Sequence, residues 1–165
     1  MQLTDPQITL RPVSEGDFPF LLTVYGSIRE DELMQTGWSE QEKQGFIQMQ
    51  FDAQHHAYSL YPDTEFLVIV YAGTDVGRLY LQHQKNALHI VDISLLKEYR
   101  RRGIGHTLLS GLFAKANSQA KVVQIQVEKN NPARKLYAEL GFQPVADKGL
   151  YLLMRREFDE KASLD

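Results

Sequence analysis

The chain has 165 residues, no cysteine and a formal net charge of −3, which bounds it to one domain with a sizeable core. Lack of cysteine excludes disulfides, thiolate metal ligands and a cysteine nucleophile, and the slightly acidic balance argues against a nucleic-acid surface. The opening MQLTDPQITL has no basic segment followed by an apolar core, and no apolar run reaches the roughly 18 residues of a membrane span, so a cytoplasmic protein without a membrane partner is the expectation.

Residues 8–13, ITLRPV, alternate as a short strand, and Pro12 places it at an edge. Ser14 and Asp17 fit a capping box, and Phe18, Leu21, Leu22 and Tyr25 follow at helical spacing until Gly26, where the helix is expected to break. The polar stretch from Gly26 to Trp38 has no period of either kind and reads as a loop. Ser39 and Glu42 form a second capping box, after which Phe46, Met49, Ala53, Ala57 and Leu60 mark the expected inner face of a long helix ending before Pro62.

From Glu65 the pattern turns to strands. EFLVIVYA and VGRLYLQHQ flank a turn at Gly73 to Asp75, so they predict a hairpin. In ALHIVDISLL the apolar positions Leu88 and Ile90 fall out of step with Ile93 and Leu95, which calls for a bulge between them. VVQIQVEK is a further strand, reached through a helix, and strand, helix, strand argues for parallel pairing. Asn131 caps an expected helix with Pro132 at its first position, Ala133, Leu136, Tyr137 and Leu140 share a face, and Gly141 stops it. FQPVA and LYLLMRREF, around Asp147 to Gly149, predict a closing hairpin. The expected domain is residues 3–158, with residues 159–165 a frayed tail.

Between these strands lies EYRRRGIGHTLLSGLFAKA. Gly103 and Gly105 let successive backbone N–H groups converge, Arg100, Arg101 and Arg102 add charge, and Ile104, Leu108, Leu109, Leu112 and Phe113 begin a buried helix face. A helix opening on such a turn presents orphan N–H donors and the positive end of its dipole, so it forms a cradle for an anion. The turn lacks Gly-Lys-Ser/Thr and the third glycine of a dinucleotide fingerprint, so neither nucleotide motif is present.

ISLLKEYRRRGIGHTLL and VEKNNPARKLYAELGF together resemble the GNAT superfamily of acetyl-CoA-dependent N-acetyltransferases. Arg100, Gly103 and Gly105 match the Arg/Gln-x-x-Gly-x-Gly/Ala pyrophosphate loop, and Asn130, Ala133, Leu136, Tyr137, Gly141 and Phe142 match the second signature. The resemblance implies an α/β fold with a mixed, mostly antiparallel sheet, a V-shaped splay between two parallel strands, and helices on both faces. It implies that main-chain groups of Ile93 and Leu95 bind pantetheine, that Arg101, Arg102, Gly103, Ile104, Gly105 and His106 hold the pyrophosphate beside Arg100, and that Asn130 and Ala133 lie along the cofactor. It makes acetyl-CoA the co-substrate and a primary amine, of a small molecule, the acceptor, in a ternary complex. Acetylation of a protein N-terminus or lysine and a non-catalytic CoA-binding module are the alternatives. Monomer and homodimer both remain open.

By the same resemblance Tyr137 is the acid that protonates the departing thiolate, and its alternative is a core aromatic. Asp92 is a candidate base on the strand before the cradle, or else a salt-bridged strand carboxylate. His89 is a second candidate with a suitable unperturbed pKa near 6.5, and an amine arriving neutral needs no base. No metal is expected, since adjacent His55 and His56 point about 100° apart and lack an i+4 histidine. Glu30, Asp31 and Glu32 read as a solvated acidic loop or an attractor for a cationic amine. Trp38, Phe51, Tyr58 and Tyr61 read as packing before ligand contact.

Overall fold

The computed structural model describes residues 1–159. Seven strands form one sheet in the order β1-β2-β3-β4-β5-β7-β6: β1 (Ile8–Pro12), β2 (Thr64–Tyr71), β3 (Thr74–His83), β4 (Ala87–Leu95), β5 (Val122–Glu128), β6 (Gln143–Lys148) and β7 (Tyr151–Arg156). Only β4 and β5 run parallel, joined by the crossover helix α3 (Ile104–Ser118). The other helices are α1 (Phe18–Met34), α2 (Glu40–Ser59) and the short α4 (Arg134–Glu139). None of the described helices is long and apolar enough to cross a membrane.

One face of the sheet is apolar and packs on α3. Leu79 and Leu81 of β3, Leu88 and Ile90 of β4 and Val123, Ile125 and Val127 of β5 meet Ile104, Leu108, Leu109 and Leu112 in the main core. Such side chains each stabilise the fold by roughly 1.5–3 kcal/mol when fully buried. The other face carries Arg78 and Tyr80 and receives α2, whose Gln54 bonds Arg78 and whose Tyr58 meets Tyr80 edge-on at 5.9 Å. Helices therefore cover both faces, as the resemblance implies.

The bulge in β4 is present. Tyr80 lies opposite Asp92 while Leu81 lies opposite Ile90, so Val91 is the extra residue. An extra residue reverses the alternation, which is why Leu88 and Ile90 share the α3 face with Ile93 and not with Asp92.

The first helix departs from expectation. Gly26 does not break it, and residues 26–34 are the second half of α1, not a loop. Arg29, Glu30, Glu32, Leu33 and Met34 are good helix formers, and a Cβ on Gly26 would lie 3.6 Å from Ile47, an ordinary contact across the α1–α2 pair. The long helix α2 starts at the Ser39–Glu42 capping box, but its inner face is not the expected one. Met49 and Leu60 are exposed and Phe51 is buried, so the inward stripe is Ile47, Phe51, Gln54, His55 and Tyr58. Its polar members hid the periodicity.

The final helix also starts later than expected. Asn131 Oδ1 accepts the Ala133 N–H at 2.9 Å and so closes a turn, and α4 begins at Arg134. Leu136 is exposed, whereas Tyr137 is buried against Phe142 with ring centroids 5.7 Å apart. Gly141, at φ 98°, ends the helix. Of the tail expected over residues 159–165, residues 160–165 lie outside the described residues.

Candidate active site

Parallel pairing between β4 and β5 covers Ala87–Ile90 against Val122–Ile125 and goes no further. Beyond Ile90 the two strands have other partners: Asp92 to Leu95 pair only with β3, and Gln126 to Glu128 pair only with β7. The sheet is thus split by a wedge that opens at the end of β4, just where the chain turns toward α3. Gly77 allows β3 and β4 to stay close at this end, since a Cβ there would stand 2.1 Å from the Ser94 carbonyl oxygen.

The turn from β4 to α3 runs through a single 3-10 turn, Lys97–Tyr99, and then Arg100 to Gly103. Arg101 and Gly103 have φ of 61° and 81°, the left-handed region in which glycine is free of strain. Thr107 is the first residue of the helix whose N–H returns to the turn, donating to the Gly103 carbonyl at 3.0 Å. Among the described residues no backbone carbonyl accepts from the N–H groups of residues 101–106. A Cβ built on Gly103 or Gly105 meets nothing within 4 Å. Open space, unclaimed donors and a helix start together suit a pyrophosphate. Arg101, Arg102 and His106 are exposed around it. Arg102 lies over the Tyr99 ring at 5.0 Å, and Arg100 Nε donates to the Leu95 carbonyl at 3.0 Å, which pins the turn to the end of β4. Asn130 is exposed at the end of β5 and Ala133 is half-buried at the start of α4.

Tyr137 of α4 packs on Phe142 and lies within electrostatic range of Asp92. Its hydroxyl has no hydrogen-bond partner among the described residues. Burial, and then the nearby Asp92 carboxylate, push its phenol up to about 12, so it stays protonated near neutral pH.

Asp92 belongs to a polar cluster on the α2 face. Its Oδ2 is ion-paired with Arg78, and its Oδ1 accepts from Ser94 Oγ at 2.7 Å. Arg78 is only 2% exposed. Burial works against its charge, but Asp92 and the phenols of Tyr80 and Tyr58 more than compensate, leaving its pKa above the ordinary arginine value. Tyr58 is in turn pushed upward by burial first and by Asp92 second, with Tyr61 and Tyr151 adding smaller contributions. Of this group, Tyr58 and Tyr61 read in the sequence as packing before ligand contact, and Arg78, Tyr80 and Tyr151 are not singled out there. The lone arginine within the otherwise apolar VGRLYL strand is the signal that could have found them.

The remaining candidates fall elsewhere. His89 lies on the same face, paired with Gln124 across β4 and β5. Burial pushes its imidazole down, and its Nδ1 is buried without a partner among the described residues. His55 stacks on Phe51 at 6.0 Å and touches Phe18 at 4.9 Å, and Trp38 packs edge-on against Phe46 at 5.3 Å. Glu32 pairs with Arg29, which also reaches Glu128 at the end of β5.

A sequence model described as an acetyltransferase (GNAT) domain matches residues 34–150. An N-alpha-acetyltransferase of Saccharolobus solfataricus is 39% identical over 67 residues, a match that covers 38% of this chain and 40% of that relative's length. The structure resembles the PaiA N-acetyltransferase of Thermoplasma acidophilum, solved in complex with coenzyme A, with a TM-score of 0.69 at 20% identity over 92% of this chain and 99% of that one. It also resembles an acetyltransferase of Thermus thermophilus, with a TM-score of 0.68 at 19% identity over 92% and 97% of the two chains. The structural likenesses speak for the fold, and the domain match speaks for descent. Since that match spans well over half of the sequence, the chain belongs to the GNAT acetyltransferase family.

Proposed function

We propose that this acetyltransferase moves the acetyl group of acetyl-CoA directly to a primary amine, and that the amine belongs to a small molecule. The observation that carries the reading is a cradle of N–H groups unclaimed among the described residues at the mouth of the β4–β5 wedge, with the protonated Tyr137 phenol in electrostatic range of Asp92 on β4. In this reading the N–H groups of residues 101–106 hold the pyrophosphate, and the freed edge of β4 at Ile93 and Leu95 receives pantetheine. The neutral amine forms its bond to the acetyl carbonyl carbon as the C–S bond breaks, Tyr137 gives its proton to the leaving thiolate, and the proton lost by the nitrogen passes to solvent, from which the Tyr137 phenolate is reprotonated. Asp92 accepts a hydrogen bond from the incoming amine and orients it. The amine enters from the side of α2 and the β6–β7 hairpin.

A second reading, a protein N-terminal amine as acceptor, is favoured by the name of the Saccharolobus relative. A thiol-release assay separates the two when run with acetyl-CoA against diamines, amino sugars, free amino acids and short peptides with free N-termini. Turnover confined to small amines supports the first reading, and turnover confined to peptides replaces it with the second. Tight acetyl-CoA binding with no turnover on any of them overturns both and leaves a CoA-binding module.

A further inference from the structure

Asp92 is not held by its own strand alone. Arg78 sits one ladder step away on β3, opposite Ser94, and its Nη2 does two things: it ion-pairs Asp92 Oδ2 and donates to Gln54 Oε1 of α2 at 2.8 Å. Its guanidinium lies over the Tyr80 ring at 5.0 Å, and its Nε is buried without a partner among the described residues. Ser94 Oγ engages the other oxygen of Asp92. An ionised carboxylate has about four acceptor sites, and the Asp92 side chain is 17% exposed against 2% for Arg78. The carboxylate is therefore fixed through both oxygens yet keeps capacity on the side that solvent and a ligand can reach.

We propose that Arg78 is a positioning residue for acetyl transfer, holding the Asp92 carboxylate in one orientation at the wedge, with Gln54 tying α2 into the same arrangement. The proposal rests on the reading that Asp92 meets the acceptor amine. Stability does not account for the pair, because a buried ion pair gives little or no advantage over well-packed apolar side chains of the same volume. Chemistry does account for it. Arginine keeps its proton throughout the pH range of the protein, so it is a permanent counter-charge that cannot itself take the amine's proton. Its planar group fits between the Tyr80 ring, the carboxylate and the Gln54 amide. A lysine supplies the charge but neither the stacking nor the fixed geometry. Because Gln54 stands on the helix that covers the acceptor side, an acceptor that displaces α2 also displaces the carboxylate.

The test is a double-mutant cycle on the full chain, measuring kcat and both KM values for the best acceptor with Arg78→Lys, Asp92→Asn and the pair combined. Each single change is expected to lower kcat by about tenfold to a hundredfold, with the acetyl-CoA KM within about twofold of wild type. The double variant is expected to be no worse than the weaker single, because Arg78 acts through Asp92. Multiplying effects, or a loss carried by the acetyl-CoA KM, would overturn the assignment. If circular dichroism shows that Arg78→Lys does not fold, the same cycle is run with Gln54→Ala, which is expected to lower kcat about threefold to tenfold in the wild-type background and not at all beside Asp92→Asn. A wild type that acetylates no amine overturns the functional reading together with this inference. An active wild type with additive variants overturns the inference alone.

Discussion

The two sides of the wedge are built from different materials. On the reading proposed above, the donor side consists of backbone: the N–H groups of residues 101–106 and the freed edge of β4. On the same reading the acceptor side consists of side chains drawn from β3, β4, α2 and α4, with Arg78, Tyr58 and Tyr137 each in electrostatic range of Asp92 and Gln54 bonded to Arg78. A backbone site tolerates changes of side chain but not of backbone geometry, and a side-chain site behaves in the opposite way. Substitutions on the two sides should therefore separate binding of the donor from chemistry on the acceptor.

The largest effect is expected from Tyr137→Phe, which removes only the hydroxyl. kcat should fall by about a hundredfold while the dissociation constant for acetyl-CoA, measured by calorimetry, stays at the wild-type value. Unchanged turnover would remove Tyr137 from the mechanism and erase the contrast on that side. Gly103→Val is the reciprocal test. A β-branched residue is strained at φ 81° and fills open space in the cradle, so acetyl-CoA should bind about thirtyfold more weakly, the equivalent of roughly 2 kcal/mol. Wild-type affinity in the folded variant would count against the pyrophosphate assignment.

Smaller effects should concern the fold and neither side of the wedge. Arg11 forks onto both oxygens of Asp17, at 2.8 and 2.9 Å, and reaches Asp75 at 2.8 Å. The Arg11 guanidinium, and then the Ser14 N–H, hold the Asp17 carboxyl well below the usual carboxylate range. Because the folded value is depressed, the stabilisation is fully present above the unfolded value of about 4 and is lost as pH falls below it. Asp17→Asn should cost about 1 kcal/mol at pH 7, a figure discounted for the solvent around Arg11. The urea midpoint of the wild type should converge on that of the variant in acid. Gly26→Ala should act in the other direction by about 0.5–1 kcal/mol, since it adds helix propensity inside α1, and a rise in melting temperature checks it. Neither change should alter the affinity for acetyl-CoA.

What could be read in advance follows the same division. The cradle was legible because Gly103 and Gly105 mark a backbone requirement in the sequence itself. The bulge was legible because Leu88 and Ile90 break step with Ile93 and Leu95. The Arg78–Asp92 pair was not, since it depends on the register of two strands, which no local pattern reports. The second half of α1 was missed because its apolar residues are few. The inner face of α2 was missed because Gln54 and His55 sit where apolar side chains were sought, turned inward by Arg78 and by the rings of Phe18 and Phe51.

The extra residue at Val91 sets the phase of β4. Before it, even-numbered residues face α3, and after it odd-numbered ones do. The strand is therefore one residue longer than its ladder with β3 requires. Excising Val91 would leave Asp92 opposite Tyr80 and Ile93 on the α3 face, restoring strict alternation and removing only the local bend of the strand where the wedge opens. A deletion at Val91 thus separates the shape of the split from the identity of the groups that line it, which no point substitution does.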